Sequence, residues 1–332
     1  MKKGMTAVIV SAWLIAAGWI GSPAAQEKVT WYLDWVFYSE HVPFFATKDF
    51  GYFKKEGLDV KIERGFGSGD TIKRIAAKAA PLGFADVGSL IIARSRGAKV
   101  KEVAMYYAKT PMAIWHLKSK GYKHPKDLAG ARLGGPEGDA AWKVFPAFAN
   151  ANGLDPKTVS WTTLGYGAML PGVLTGKLDA IPIFADEQPN FQAAARKAGK
   201  DSGMLRFSEW GVDIYANGII AHDDTIRNNP GLLKRFVRAS IDAWGHCMVY
   251  MDKCLKNFLK YSPTSNPKVV RLQYHQTRKL NIDQGVIEHG LGYMDSGKMD
   301  RTVDIITKYT PLKVRVKTDD VYTNAFLPQM AK

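Results

Sequence analysis

From residue 28 onward the apolar positions follow two rhythms that take turns. Lys28–Trp35 (KVTWYLDW) is rich in β-branched and aromatic residues and predicts a strand. Pro43–Gly57 carries apolar residues at helical spacing and predicts one helix stopped by Gly57. Leu58–Gly65 alternates, as a strand does. Then come Gly65, Gly67 and Gly69, followed by a helix that places Ile72, Ile75, Ala76 and Ala79 on one face, with Ser68 or Asp70 as its cap. LGFADVGSLIIARSRG predicts a strand, a turn and a helix, and VKEVAMYYA a further strand.

The plan then restarts. Met112–Lys118 predicts a strand. The stretch from Lys123 to Leu154 predicts a short helix, a strand, a second glycine turn (GGPEGDAAW) and a helix. TVSWTTLGYGAMLPGVLTGKLDAIPIF predicts strand, helix and strand, and Gly218–Ile226 one more strand. From Pro230 the chain is mainly helical, with a proline at the first helical position. Strand and helix alternating in this way predict layered α/β units with largely parallel sheets. Two such units follow one another, alike in physical plan and not in residue identity.

The N-terminus departs from both rhythms. Lys2 and Lys3 precede an uncharged apolar run, Met5–Ile20, and then Ser22, Pro23, Ala24 and Ala25. This is the layout of an export signal cleaved after Ala24 or Ala25, with an uncleaved anchor as the alternative. The run of about 16 residues is shorter than the ~20 that span a bilayer. Residues 1–25 are therefore assigned as a signal peptide, and the mature protein is expected in the periplasm. The formal charge of +15 invites a nucleic-acid reading. Its basic residues are scattered, with no tract of five or more, and a solvated basic surface is expected instead. Cys247 and Cys254 fall within one predicted helix, where seven residues separate their Cα atoms by about 10 Å. That is too far for a disulfide, so two buried or half-buried thiols are expected.

The glycine turns carry the candidate chemistry. A helix start leaves N–H groups unpaired, and glycines let a ligand approach them. GFGSGDT lacks the lysine of a P-loop and the spacing of a dinucleotide fingerprint, so a plain turn or a small non-nucleotide ligand remains. The second turn carries Glu137 and Asp139, which can cap their own helix and would repel an anion. Trp35, Phe37, Tyr38, Phe44, Trp142, Tyr166 and Phe184 flank loops and suit a planar ligand by stacking or cation–π contact. Asp186 and Glu187 follow a strand's carboxyl end, where ligands of open α/β sheets sit. The seven histidines are dispersed, and no catalytic motif or metal-binding cluster stands out. No catalytic residue, metal or cofactor is assigned.

These residues resemble the two-domain substrate-binding proteins of bacterial ABC importers, in the aliphatic-sulfonate, taurine and thiamine-pyrimidine branch. The likeness runs from about Val29 to Lys253. It is carried by LDW followed by EH-x-PFF, and by GYFKKEGLDV, GFGSGDT, GFADVGSL, HPKDLAGARLGGPEGDA, LTGKLDAI and YANGIIAHDDTIRNNPGLLKRFVRA. The resemblance implies a type II periplasmic-binding-protein fold. One lobe would hold residues 28–108 and 218–332, and the other 109–217, joined by two crossover strands with the ligand between them. It further implies an ABC permease as partner, a monomer, and no nucleic acid.

By position, the resemblance directs Asp34, Trp35, Glu40, His41, Gly67, Ser68, Gly69, Asp70, Thr71, Asp86, Ser89, Glu137, Gly138, Asp139, Tyr166, Asp186 and Glu187 to the ligand. LDWVFYSEH, GFGSGDT, GPEGDAAW and FADEQ contain no lysine or arginine. Burying an anion among them without a paired charge would be costly. A planar amine-bearing ligand, such as a thiamine-related aminopyrimidine, is therefore expected over a sulfonate or nitrate. A second reading comes from a branch of similar fold, the thiamine pyrimidine synthases, which consume their own lysine-bound cofactor and a histidine. Their lysine position aligns with Ala79, beside Lys78. Their cysteine-rich run reads GVDIYANG here, without cysteine.

Overall fold

The computed structural model describes residues 25–329. The export-signal segment lies outside the described residues apart from Ala25. The first lobe opens with β1 (Glu27–Tyr32), α1 (Val42–Asp49), α2 (Tyr52–Lys55), β2 (Leu58–Glu63), α3 (Ser68–Ala76), β3 (Leu82–Asp86), α4 (Val87–Arg94) and β4 (Val100–Met105). The second lobe holds β5 (Met112–Leu117), β6 (Arg132–Gly135), α5 (Ala140–Ala151), β7 (Ser160–Thr163), α6 (Tyr166–Leu174), β8 (Ala180–Phe184), α7 (Gln188–Lys197) and β9 (Ser202–Arg206). The chain then returns through β10 (Asn217–His222), α8 (Asp223–Asn228), α9 (Pro230–Val249), α10 (Met251–Phe258), α11 (Pro267–Leu280), α12 (Gln284–His289) and α13 (Ser296–Tyr309).

The strands form two five-stranded sheets, ordered β2-β1-β3-β10-β4 and β7-β6-β8-β5-β9. β1 pairs in parallel with β2 and β3, while β10 runs antiparallel between β3 and β4. In the second sheet β6 is parallel to β7 and β8, and β5 is antiparallel to β8 and β9. Each sheet thus holds one reversed strand, β10 in the first and β5 in the second, set between two neighbours that run the other way. Trp31 of β1 anchors the first core, with its ring 4.7 Å from Phe44 of α1 and edge-on to Phe53, Phe84 and Phe236. Burying so large an aromatic surface is a dominant favourable contribution to a core.

Two segments connect the lobes, and they bond to each other. The N–H groups of Tyr106 and Tyr107 both donate to the Asn217 carbonyl (2.9 and 2.8 Å), and Ala216 N–H donates to the Tyr107 carbonyl. The C-terminal helices do not stay with one lobe. α11 packs on α7 and on the turn Ala185–Glu187 of the second lobe, and α13 packs on α5. Asn150 Nδ2 donates to the Tyr309 carbonyl across the same junction.

Several local expectations are corrected. The helix expected over Pro43–Gly57 is two helices, separated at Phe50 and Gly51. The strand expected over Gly218–Ile226 ends at His222, whose Nδ1 accepts from Asp224 N–H and starts α8. Neither Ser68 nor Asp70 caps α3: its cap is Gly67, with no side-chain hydrogen bond. Asp70 instead pairs with Arg74 one turn on.

Cys247 and Cys254 form a disulfide, not two thiols. The assumption of one continuous helix fails at Tyr250 (φ −104°, ψ 51°), where α9 ends and α10 begins, so the Cα atoms stand 5.8 Å apart. Closing so short a loop stabilises by about 2–3 kcal/mol on chain-entropy grounds. Cys247→Ala with Cys254→Ala should lower unfolding stability by that amount in denaturant melts. Thiol titration of the unfolded, unreduced protein should find no free cysteine.

Candidate functional site

The loop after β1 builds one wall. Asp34 and Trp35 come one residue past the end of β1, after Leu33, and their carbonyls accept from Gly67 N–H (2.6 Å) and Gly65 N–H (3.1 Å). Thr71 Oγ1 donates to the Leu33 carbonyl (2.7 Å). The first glycine turn is therefore tied to the LDW loop along its length. Ser68 Oγ accepts from Asp86 N–H, and Asp86 Oδ1 accepts from Ser89 N–H as the cap of α4. Asp34 is held from two sides: Asn217 Nδ2 donates to Oδ2 (2.6 Å), and His41 Nε2 stands 3.2 Å from Oδ1.

The second lobe supplies the facing wall. Asp139 caps α5 by accepting from Trp142 N–H, as its place in the sequence suggested. Tyr166 hydroxyl donates to Glu187 Oε1 (3.1 Å). Asp186 Oδ2 accepts from the Tyr107 hydroxyl (2.6 Å) and from Thr277 Oγ1 (2.5 Å), so residues of the crossing segment and of α11 hold a side chain of the second lobe.

The two glycine turns meet. Gly69 N–H donates to the Gly138 carbonyl at 3.0 Å. Gly67 has φ +114°, and a Cβ there would stand 2.2 Å from the Gly138 carbonyl carbon. Only glycine permits both that backbone conformation and that approach. Beneath this contact lies a cavity lined by Asp34, Trp35, Tyr38, Gly67 and Ser68 from the first lobe and by Asp139, Ala140, Phe184 and Glu187 from the second. It measures about 10 Å³, the room of about one water, so anything larger enters only when the lobes part. No lysine or arginine lines it.

The cavity and the layer behind it are strongly acidic. Asp34, Glu40, Asp86, Asp139, Asp186 and Glu187 are all buried. Burial pushes the Glu40 carboxyl well above the usual carboxylate range, and the charges of Asp34 and Asp186 add to it. Burial raises Glu187 in the same way, with Asp186 next in effect. Asp86 is pushed up to about 6 and Asp139 to about 7, burial outweighing the hydrogen bonds each receives. Asp186 is raised by burial against the hydrogen bonds from Thr277 and Tyr107. Both Glu40 carboxyl oxygens and Oδ1 of Asp186 lack a hydrogen-bond partner.

Asp34, Glu40 and His41 bring three donor atoms within 4.8 Å of one another, a spacing that suits a metal ion. The imidazole argues against one. Its Nδ1 faces the N–H of Tyr38 at 3.4 Å, so in the neutral ring Nε2 carries the hydrogen and gives it to Asp34. A metal-bound histidine instead donates through its other nitrogen.

Not every expected residue reaches the cavity. Glu40, His41, Asp86, Ser89 and Asp186 stand behind its walls. Tyr166 packs edge-on against Trp35, ring centroids 5.6 Å apart. Gly69 and Gly138 form the lobe contact. Asp70 is turned to Arg74, Thr71 is spent on Leu33, and exposed Glu137 pairs with Lys143. Trp142 stacks on Trp161, and Phe44 belongs to the Trp31 core. Asn217, Tyr107 and Thr277, which orient Asp34 and Asp186, carry no sequence signal of that role. They are brought in by the topology.

A pH dependence follows from Asp139. Its folded-state pKa is raised, so between about pH 4, the ordinary range, and about 7 the folded protein holds a proton that the unfolded chain has lost. Stability falls as pH rises through that window. Asn caps a helix as well as Asp does, so Asp139→Asn keeps the cap and removes the titration. The melting temperature of Asp139→Asn should match that of the parent near pH 4 and pull ahead up to about pH 7. Scanning calorimetry checks this, and a constant difference would rule it out.

Comparisons with known proteins agree with the architecture. The description of the NMT1/THI5-like family matches residues 38–251. The chain is 24% identical over 318 residues to the riboflavin-binding protein RibY of Chloroflexus aurantiacus, covering 92% of this chain and 89% of that one. It is 22% identical over 304 residues to the formylaminopyrimidine-binding protein of Halalkalibacterium halodurans, covering 90% and 91%. It is 24% identical over 261 residues to the 4-amino-5-hydroxymethyl-2-methylpyrimidine phosphate synthase THI13 of Saccharomyces cerevisiae, covering 76% of each. Among solved structures, the alkanesulfonate-binding protein SsuA of Xanthomonas axonopodis, bound to MOPS, superposes with a TM-score of 0.66 at 14% identity, covering 91% of this chain and 99% of that one. The fold is that of the two-lobed type II periplasmic binding proteins, and the chain belongs to the NMT1/THI5-like family.

Proposed function

We propose that the protein is the extracytoplasmic solute-binding component of an ABC importer. It captures a small planar amine-bearing ligand between its lobes and delivers it to the permease. The observation that carries this reading is the cavity at the lobe junction, walled by Trp35, Tyr38 and Phe184 and by carboxyl groups, with no basic side chain. An aromatic wall suits a flat ring, and the carboxylates accept from its N–H groups. A sulfonate or nitrate would meet three carboxyl groups and no basic side chain, at high cost. The relatives named for binding riboflavin and formylaminopyrimidine support a flat, nitrogen-rich ligand, and a thiamine-related aminopyrimidine is the form favoured here. The leader at residues 1–25 supports export. Among the described residues no helix is long and apolar enough to cross a membrane. The protein acts as a monomer, with its first lobe formed by residues 28–108 and 218–332 and its second by 109–217.

The synthase reading is weaker. No lysine lines the cavity. Lys78, beside the position where those enzymes carry theirs, lies beyond the far end of α3 and pairs with Asp224.

Two outcomes test the proposal. A thermal-shift screen should give its largest stabilisation with aminopyrimidines and leave sulfonates and nitrate silent, and small-angle scattering should then show compaction on adding the best hit. Trp35→Ala should weaken that binding by roughly 1–3 kcal/mol, as loss of a central aromatic anchor does. Unchanged affinity in calorimetry, with the fold intact, would make Trp35 a packing residue only.

A further inference from the structure

Three carboxyl groups line the cavity from both lobes: Asp34 from the first, Asp139 and Glu187 from the second. Two more stand directly behind them, Glu40 and Asp186, one from each lobe, both fully buried. Glu40 has neither oxygen hydrogen-bonded, and Asp186 has one oxygen free. The other Asp186 oxygen already takes two hydroxyl donors, from Tyr107 and Thr277. That arrangement fixes the side chain and leaves its second oxygen without a donor. Among the described residues, the basic side chain in contact with this group is His41, which stands 3.2 Å from Asp34 and 3.0 Å from Glu40. One imidazole cannot balance five carboxyl groups, even when protonated.

A neutral amine offers hydrogen bonds to such a site and leaves its charge uncompensated. We propose that the ligand enters as a cation, with a protonated ring or amidine-like nitrogen seated against Glu187 and Asp139 and its flat face against Trp35. This rests on the planar amine-bearing reading and adds the ligand's charge to it. Charge-assisted hydrogen bonds to carboxylates are about twice as strong as neutral ones. The positive group would also relieve the repulsion that closing the lobes brings about. The raised carboxyl pKa values of Glu40 and Glu187 fit a site short of positive charge.

The probes are a matched pair of small flat amines at pH 7.5: 4-aminopyridine, which is a cation there, and 4-aminopyrimidine, which is neutral. Calorimetry should find the cation bound at least about tenfold more tightly, a difference of ~1.4 kcal/mol. Glu187→Gln and Asp139→Asn each keep a hydrogen-bonding side chain. Each should cut 4-aminopyridine affinity about tenfold and change 4-aminopyrimidine affinity by less than about threefold. Circular dichroism melts confirm that both variants fold. Equal affinity of the two probes overturns the charge requirement and leaves the planar-amine reading intact. Silence of both amines in the folded protein overturns the proposal, and binding of taurine in their place removes the planar-amine reading as well. Equal losses for both probes in the variants would assign Glu187 and Asp139 a hydrogen-bonding role without charge selection, against the proposal.

Discussion

Asn217 stands where the two crossing segments and the cavity wall meet. Its carbonyl accepts the N–H groups of Tyr106 and Tyr107, so it ties one crossing segment to the other. Its side-chain amide donates to Asp34 in the cavity wall. The two tyrosines continue outward from the same point: Tyr107 hydroxyl holds Asp186, and Tyr106 hydroxyl donates to the Glu40 carbonyl. Hinge and site are thus one hydrogen-bond network. Tyr107 hydroxyl thereby links the crossing segment directly to the cavity's acidic layer. In a clamp of this kind, ligand and hinge bias the same two-state element, which is what coupling between binding and closure requires.

The acidic layer gives closure its energetic character. Closing sets Asp34, Glu40 and Asp86 of one lobe against Asp139, Asp186 and Glu187 of the other, all out of water. Isolated buried charges are costly and such groups neutralise instead, which is why burial raises the pKa values of Glu40, Asp86, Asp139, Asp186 and Glu187. Opposing that cost are the Gly69–Gly138 hydrogen bond, the packing of α13 on α5 and the Asn150–Tyr309 bond. The cavity therefore sits where backbone contacts draw the lobes together and burial of carboxyl groups costs free energy. A bound molecule that removes the repulsion shifts the balance towards the closed form by its differential affinity alone.

Much of this was legible in the chain because it depends on local signals. Alternation gave the strands, the glycine turns marked helix starts at the junction, and Asp139 stood where a cap belongs. What was illegible depends on single backbone torsions or on distant partners. The α9–α10 break at Tyr250 occurs within HCMVYMDKC, a stretch without glycine or proline. Nothing there warns that the helix ends, and the disulfide was excluded for that reason. Ser68 looked like a cap, yet glycine at 67 takes the cap position and frees the Ser68 hydroxyl to accept from Asp86. Thr277 sits 91 residues from Asp186 on an otherwise unremarkable helix. Only the path of α11 across both lobes brings them together.

The family spans binders and synthases on similar chains, and the difference here comes down to where reactive groups can stand. A lysine able to hold a cofactor must reach the cavity, yet the cavity-facing end of α3 begins with Ser68. Lys78 lies past the other end, in a left-handed conformation (φ 59°), with its ammonium on Asp224. The histidine nearest the cavity is also committed. His41 receives the Tyr38 N–H on one ring nitrogen and faces Asp34 and Glu40 with the other. Both nitrogens are engaged with the protein, so the ring is placed to orient carboxylates rather than to attack a substrate. Lys78 and His41 are thus held by partners within the protein, Lys78 by Asp224 and His41 by Tyr38, Asp34 and Glu40.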